Sequence, residues 1–150
     1  MANYTRLIGK LNTPKLATIA VTLLIASASL AQKPWKFNLT SPEEKIDLRI
    51  DLYEESIDVP GLEDFGPMNG YLGGNIFGVW YVVGFDIKDD KHATLTIAND
   101  LGSEDQKLSL TQTSDSTYQV KFLGYNAVKR VQEKKLVKIP SELKMKVTPL

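Results

Sequence analysis

The sequence predicts an all-β domain, an antiparallel meander of seven to nine strands forming a small barrel or sandwich. Segments with strand character recur roughly every eight to twelve residues, with turn residues between them. The connections are too short for parallel crossovers, which need about a dozen residues or more. No internal repeat or second domain interrupts the series.

Residues 1–31 stand apart from that series. Arg6, Lys10 and Lys15 precede an apolar run that ends in Ser29-Leu30-Ala31, the layout of a secretory signal cleaved after Ala31. The apolar core, 16–28, is shorter than the ~20 residues that a membrane span needs. No cysteine follows to accept a lipid anchor. The expected product is therefore a periplasmic or secreted domain over 32–150, with no stable membrane insertion after cleavage.

The first clear strand is at 46–52, where Ile46, Leu48, Ile50 and Leu52 alternate with Asp47, Arg49 and Asp51. Ser41-Pro42-Glu43-Glu44 has the chemistry of a helix start, but the alternation behind it leaves room for one turn only. Residues 54–75 are rich in glycine, proline and acids and read as a long loop, which in a compact domain is usually functional or mobile. The 76–88 segment is β-branched and aromatic, and its Gly78 and Gly84 mark a bend, bulge or close approach. Asp89-Asp90-Lys91 turns the chain into a strand at 92–98, and Asn99 to Ser103 supplies the next turn. Strands follow at 107–112 and 117–123, then shorter ones at 128–131 and 136–139, with Leu143, Met145 and Val147 near the end.

Composition removes several chemistries. With no cysteine there is no thiol nucleophile, disulfide or thiolate metal site, and a single histidine cannot build a multi-histidine centre. Neither a metal nor a cofactor is expected. The chain has 18 basic and 18 acidic residues, which gives no electrostatic footprint for DNA. Removing 1–31 takes away three bases and leaves 15 against 18. The charge is also segregated: 43–64 holds nine acids and two bases, and 121–146 holds eight bases and two acids. On adjacent strands these stretches would pair across a barrel seam, and apart they would make the molecule a dipole.

The candidate ligand-binding residues are Tyr53, Phe65, Tyr71, Trp80 and Tyr81, aromatics that lie in or beside the long loop. They neighbour Glu54, Glu55, Asp58, Glu63 and Asp64. Rings that stack on pyranose faces, with acids that accept hydroxyl protons, suit a sugar, and an acid pair of this kind also serves glycosidases. No residue is assigned a catalytic role. His92 lies at a hairpin without a nucleophile elbow, and 99–105 has oxygen ligands without the spacing of a calcium loop. Asn38-Leu39-Thr40 is a formal glycosylation sequon.

Gly78-Val79-Trp80-Tyr81 resembles the Gly-x-Trp-Tyr signature of lipocalin and calycin-like small β-barrels, displaced from its usual place in the first strand. The resemblance implies that Trp80 closes one barrel end and that Arg130, in a late strand, packs over it. A barrel of this size leaves a mouth that holds one small ligand, so the leading expectation is a non-catalytic binding protein with a small apolar or sugar-like ligand at the barrel mouth. The alternatives are a glycan-active hydrolase or isomerase using loop carboxylates, and an accessory protein that docks on a periplasmic or cell-surface complex.

Overall fold

The structure is a computed structural model that describes residues 34–149, so the signal segment expected over 1–31 lies outside the described residues. Ten strands follow one another: β1 Lys36–Ser41, β2 Ile46–Asp51, β3 Gly70–Gly74, β4 Trp80–Ile87, β5 His92–Asn99, β6 Asp105–Ser114, β7 Thr117–Phe122, β8 Lys129–Gln132, β9 Lys135–Lys138 and β10 Glu142–Thr148. Eight of them close an antiparallel barrel in the order β1, β10, β7, β6, β5, β4, β3, β2, and β8 and β9 form a separate hairpin. Of barrel and sandwich, the chain forms the barrel. It is a plain meander whose closing seam pairs β1 with β10, Leu39 opposite Val147.

Alternation decides which side chains fill it. Leu39, Ile46, Leu48, Ile50, Leu72, Trp80, Val82, Leu95, Ile97, Leu108, Leu110, Tyr118, Val120, Leu143 and Met145 are all buried, so every barrel strand contributes to one core. An eight-stranded barrel is about wide enough for its own side chains, and here they occupy it.

Two strands are absent from those predicted from the sequence. β1 alternates Phe37, Leu39 and Ser41 inward with Lys36, Asn38 and Thr40 but stands before the first predicted strand, and β3, Gly-Tyr-Leu-Gly-Gly, lies inside what reads as loop 54–75. The irregular segment therefore ends at Asn69. Strand β3 exists because glycines let it approach β2 closely. A Cβ on Gly70 would lie 2.2 Å from the Arg49 carbonyl oxygen, and one on Gly74 would lie 2.5 Å from that of Lys45. Only glycine fits there. The other two glycines act as the sequence implies: Gly78 has φ +74° with the Asp100 carboxylate packed against it, and Gly84 flanks a bulge after Val82.

At one end of the barrel, Trp35 is fully buried against Phe37 and Tyr118, and its indole Nε1 donates to the Asp89 carbonyl 3.1 Å away. The 52–69 loop starts at the same end, where Leu52 joins the core and its N–H donates to the Trp35 carbonyl, and Ile57 and Val59 are buried within it. It is organised by Asp51, whose carboxylate accepts from the Ser56 hydroxyl and the Tyr53 and Glu54 N–H groups and pairs with Lys36 at 3.0 Å.

At the opposite end the chain between β7 and β10 folds over the barrel. Gln106, an inward residue on β6, is buried; its amide donates to the Gly124 and Asn126 carbonyls and accepts from the Gly124 N–H. Val128 and Ile139 are buried at the base of the β8–β9 hairpin. The hairpin turns at Glu133-Lys134, both at positive φ (50° and 63°), the geometry that matches strand twist in a two-residue turn.

Candidate functional site

The five candidate residues do not converge. Tyr71 and Tyr81 are directly opposite each other on β3 and β4, and Tyr71 is also opposite Arg49 on β2. All three are on the outer wall, because their strand neighbours Leu48, Leu72 and Trp80 face the core. The Tyr71 ring leans along its strand, where a Cβ on Gly73 would meet it at 3.2 Å. Tyr53 is at the Trp35 end, its hydroxyl accepting the Trp35 backbone N–H at 3.2 Å. Phe65 is on a single 3-10 turn, Glu63–Phe65, and is exposed. Trp80 is at the far end, 4% exposed. An aromatic loop over the mouth is thus not what the chain builds: β3 carries Tyr71 onto the wall, and within the loop Ile57 and Val59 are buried while Phe65 is exposed.

The loop acids Glu54, Glu55, Asp58, Glu63 and Asp64 are exposed. The Glu63 carboxylate is held below its usual range by its own backbone N–H and that of Gly61. For Asp51, burial acts to raise the pKa, but the Ser56 hydroxyl, Lys36 and the Tyr53 and Glu54 N–H groups together bring it below the ordinary value. A general acid needs the opposite shift. These carboxylates shape the loop.

The remaining polar motifs serve local structure. His92 is exposed and its Nδ1 is 2.8 Å from Asp89 Oδ1. The Asn99 side chain accepts from the Ser103 and Glu104 N–H groups and fixes the β5–β6 turn. Among the described residues no group of three or more His, Cys, Asp or Glu is arranged to hold a metal. Asn38 of the sequon lies in β1, its amide donating to the Thr148 hydroxyl at 2.8 Å.

Arg130 pairs with Glu44, where the likeness to small barrels implied a contact over Trp80. The basic and acidic stretches meet in this pair. Elsewhere β1 stands between β2 and β10.

A cleft of about 270 Å³ opens beside the hairpin, lined by Phe77, Trp80, Asn99, Asp100, Leu101, Ser103, Glu104, Ala127, Lys129 and Leu136. Phe77 comes from the β3–β4 connection, Leu101 from the β5–β6 turn and Leu136 from β9, and all three are exposed. Trp80 reaches the cleft with its edge while its body belongs to the core. The Phe77 N–H donates to the Lys129 carbonyl at 2.7 Å, which ties one wall to the other. A larger depression on the outer wall, about 530 Å³, is lined by Glu43, Thr113, Gln119, Glu142, Leu143 and Lys144, with no aromatic ring.

Phe77, Leu101 and Leu136 are therefore the residues that sequence reasoning missed. Each is a single apolar residue in a turn or short strand, and their one shared signal is that none has a place in an alternating core pattern. A comparison with known families, curated proteins and solved structures finds no match.

Proposed function

We propose that the protein is an exported, non-catalytic binding protein that takes a small apolar or sugar-like ligand in the cleft at the hairpin end of its barrel. One observation carries this reading: uncovered Phe77, Leu101 and Leu136, from three separate elements, surround one cleft beside Trp80. Apolar walls with a few placed polar groups are the usual make-up of a small-ligand site. Asp100 and Glu104 supply carboxylates that can accept from hydroxyls there, and Lys129 a positive charge. The volume suits one sugar ring or a short apolar group. Export rests on the leader-like composition of 1–31. Kinship with lipocalin-like small barrels belongs to the same reading: the closed eight-stranded barrel supports it, although Gly78-Val79-Trp80-Tyr81 opens the fourth strand.

No arrangement of the loop carboxylates favours the hydrolase or isomerase alternative.

Native mass spectrometry of protein purified from the producing compartment tests the cleft. A retained small molecule that is lost from a Phe77→Ser/Leu101→Ser variant, while Phe65→Ser still carries it, is the expected result. Protein that carries no small molecule, or a cleft variant that still holds it, sinks the reading.

A further inference from the structure

Strand β4 is incompletely covered. Towards β5 it is paired along its length, from Trp80 opposite Asn99 to Ile87 opposite Ala93. Towards β3 the ladder consists of Tyr71 opposite Tyr81 and Leu72 opposite Trp80, and it ends where the chain at Asn69 turns to hydrogen-bond with Asp51. Residues 83–87 therefore present a free edge. The bulge after Val82 changes the strand's parity, so Phe85 and Ile87 are opposite Leu95 and Ala93, both core residues. They point to the side of the barrel interior, yet they are 43% and 37% exposed, and the bulged Val83 is 54% exposed. Natural edges are blunted by lysine, proline or a covering segment. Along 83–87 there is a bulge but no lysine or proline, and among the described residues no strand covers this edge.

We propose that this edge receives the β8–β9 hairpin of a second copy of the chain, so that molecules join head to tail. The hairpin is the complementary feature. It stands outside the barrel as a two-stranded sheet, and β9 is exposed along its whole length, with Leu136 and Val137 uncovered. A four-residue strand matches the five-residue edge it would extend. The charges match as well. Residues 129–138 carry five bases and one acid. The β4 edge lies between Asp86, the Asp89-Asp90 turn and the β2–β3 loop, and 53–91 carries eight acids and two bases. Strand addition would satisfy the unpaired backbone groups of both partners, and Lys135 and Lys138 would meet the acidic flank. Donor and acceptor surfaces are at opposite ends of the barrel, because the hairpin follows the upper end of β7 and the free edge runs to the lower end of β4. One molecule cannot satisfy itself, and the contact is heterologous and open-ended.

Sedimentation of the purified protein over a range of concentrations tests this. Wild type is expected to grow beyond a dimer and to dissociate as salt is raised. Phe85→Lys/Ile87→Lys removes the acceptor, and Lys135→Glu/Lys138→Glu removes the donor. Each alone is expected to weaken association by about tenfold or more. Mixed, they are expected to form a one-to-one dimer and nothing larger, since each retains the surface that the other lacks. Asp86→Lys, on the exposed outer face, weakens the acceptor through charge alone and guards against a folding defect in the apolar double variant. Three results overturn the proposal: wild type that stays monomeric at every concentration, a hairpin variant that still dimerises through paired β4 edges, or a variant mixture that remains monomeric.

Discussion

The two ends of this barrel are closed by different means. At the Trp35 end the plug is a large aromatic in the core, and the covering loop hangs from one buried carboxylate with four partners. At the hairpin end the cover hangs from a buried neutral amide, Gln106, and from a partly exposed ion pair between Arg130 and Glu44. Charge-assisted bonds from a desolvated group hold more firmly than neutral ones. The first end is thus built for rigidity. The second carries the cleft, the exposed hairpin and the weaker fastenings, which is where adaptation to a ligand costs least.

The contrast is open to test, beginning with the largest effect. Trp35→Ala is expected to cost about 3–5 kcal/mol, because it empties the plug beneath Phe37 and Tyr118 and leaves a cavity. Chemical denaturation measures it, and a loss below about 1 kcal/mol would mean that the loop alone seals that end.

Asp51→Asn is expected to cost about 2–3 kcal/mol, since charge-assisted bonds from Lys36, Ser56 and two backbone groups are weakened together. The effect should depend on pH in a definite direction. The folded-state pKa of Asp51 is lowered, so its contribution is complete above the unfolded-state value and disappears as pH falls through the folded-state value. Wild type and variant should therefore converge in stability at acid pH, and a gap that persists there would argue against the carboxylate as the cause.

Gln106→Ala is expected to cost about 1–3 kcal/mol, much of it from leaving the Gly124 N–H and the Asn126 carbonyl without a partner. Hydrogen exchange should speed up at Gly124 and its neighbours while the Asp51 loop stays protected. Equal acceleration at both ends would mean that the two covers are fastened equally.

Arg130→Ala should change global stability by less than about 1 kcal/mol, as partly exposed pairs generally do, and loosen the hairpin alone. In the opposite direction, Glu133→Asn with Lys134→Gly should stabilise the hairpin by about 1 kcal/mol, because those residue types tolerate the positive φ that the turn requires. Melting curves for the protein and exchange rates for β8 and β9 separate the two.

How much of this was legible in the chain differs by element. The alternation of Ile46, Leu48, Ile50 and Leu52 predicts β2 and its buried face, and the same logic finds β5, β6, β7 and β10. Strand β3 was invisible because Gly-Tyr-Leu-Gly-Gly has no propensity to extend; it pairs only because β2 offers a backbone it can approach. Tyr71 and Tyr81 read in the sequence as aromatics near a loop, but the parity of β3 and β4 faces them outward. Trp80, an aromatic beside the loop in the sequence, belongs to the core.

By itself, then, the sequence determined the antiparallel all-β class, since period-two alternation and turn chemistry act between near neighbours. It also determined the absence of thiol chemistry. Tertiary structure alone decided that the sheet closes on itself, that both ends are covered, that Phe77, Leu101 and Leu136 meet in one cleft, and that β4 outruns β3. Each of these depends on where distant strands come into register, and register is set by the packing of a whole core.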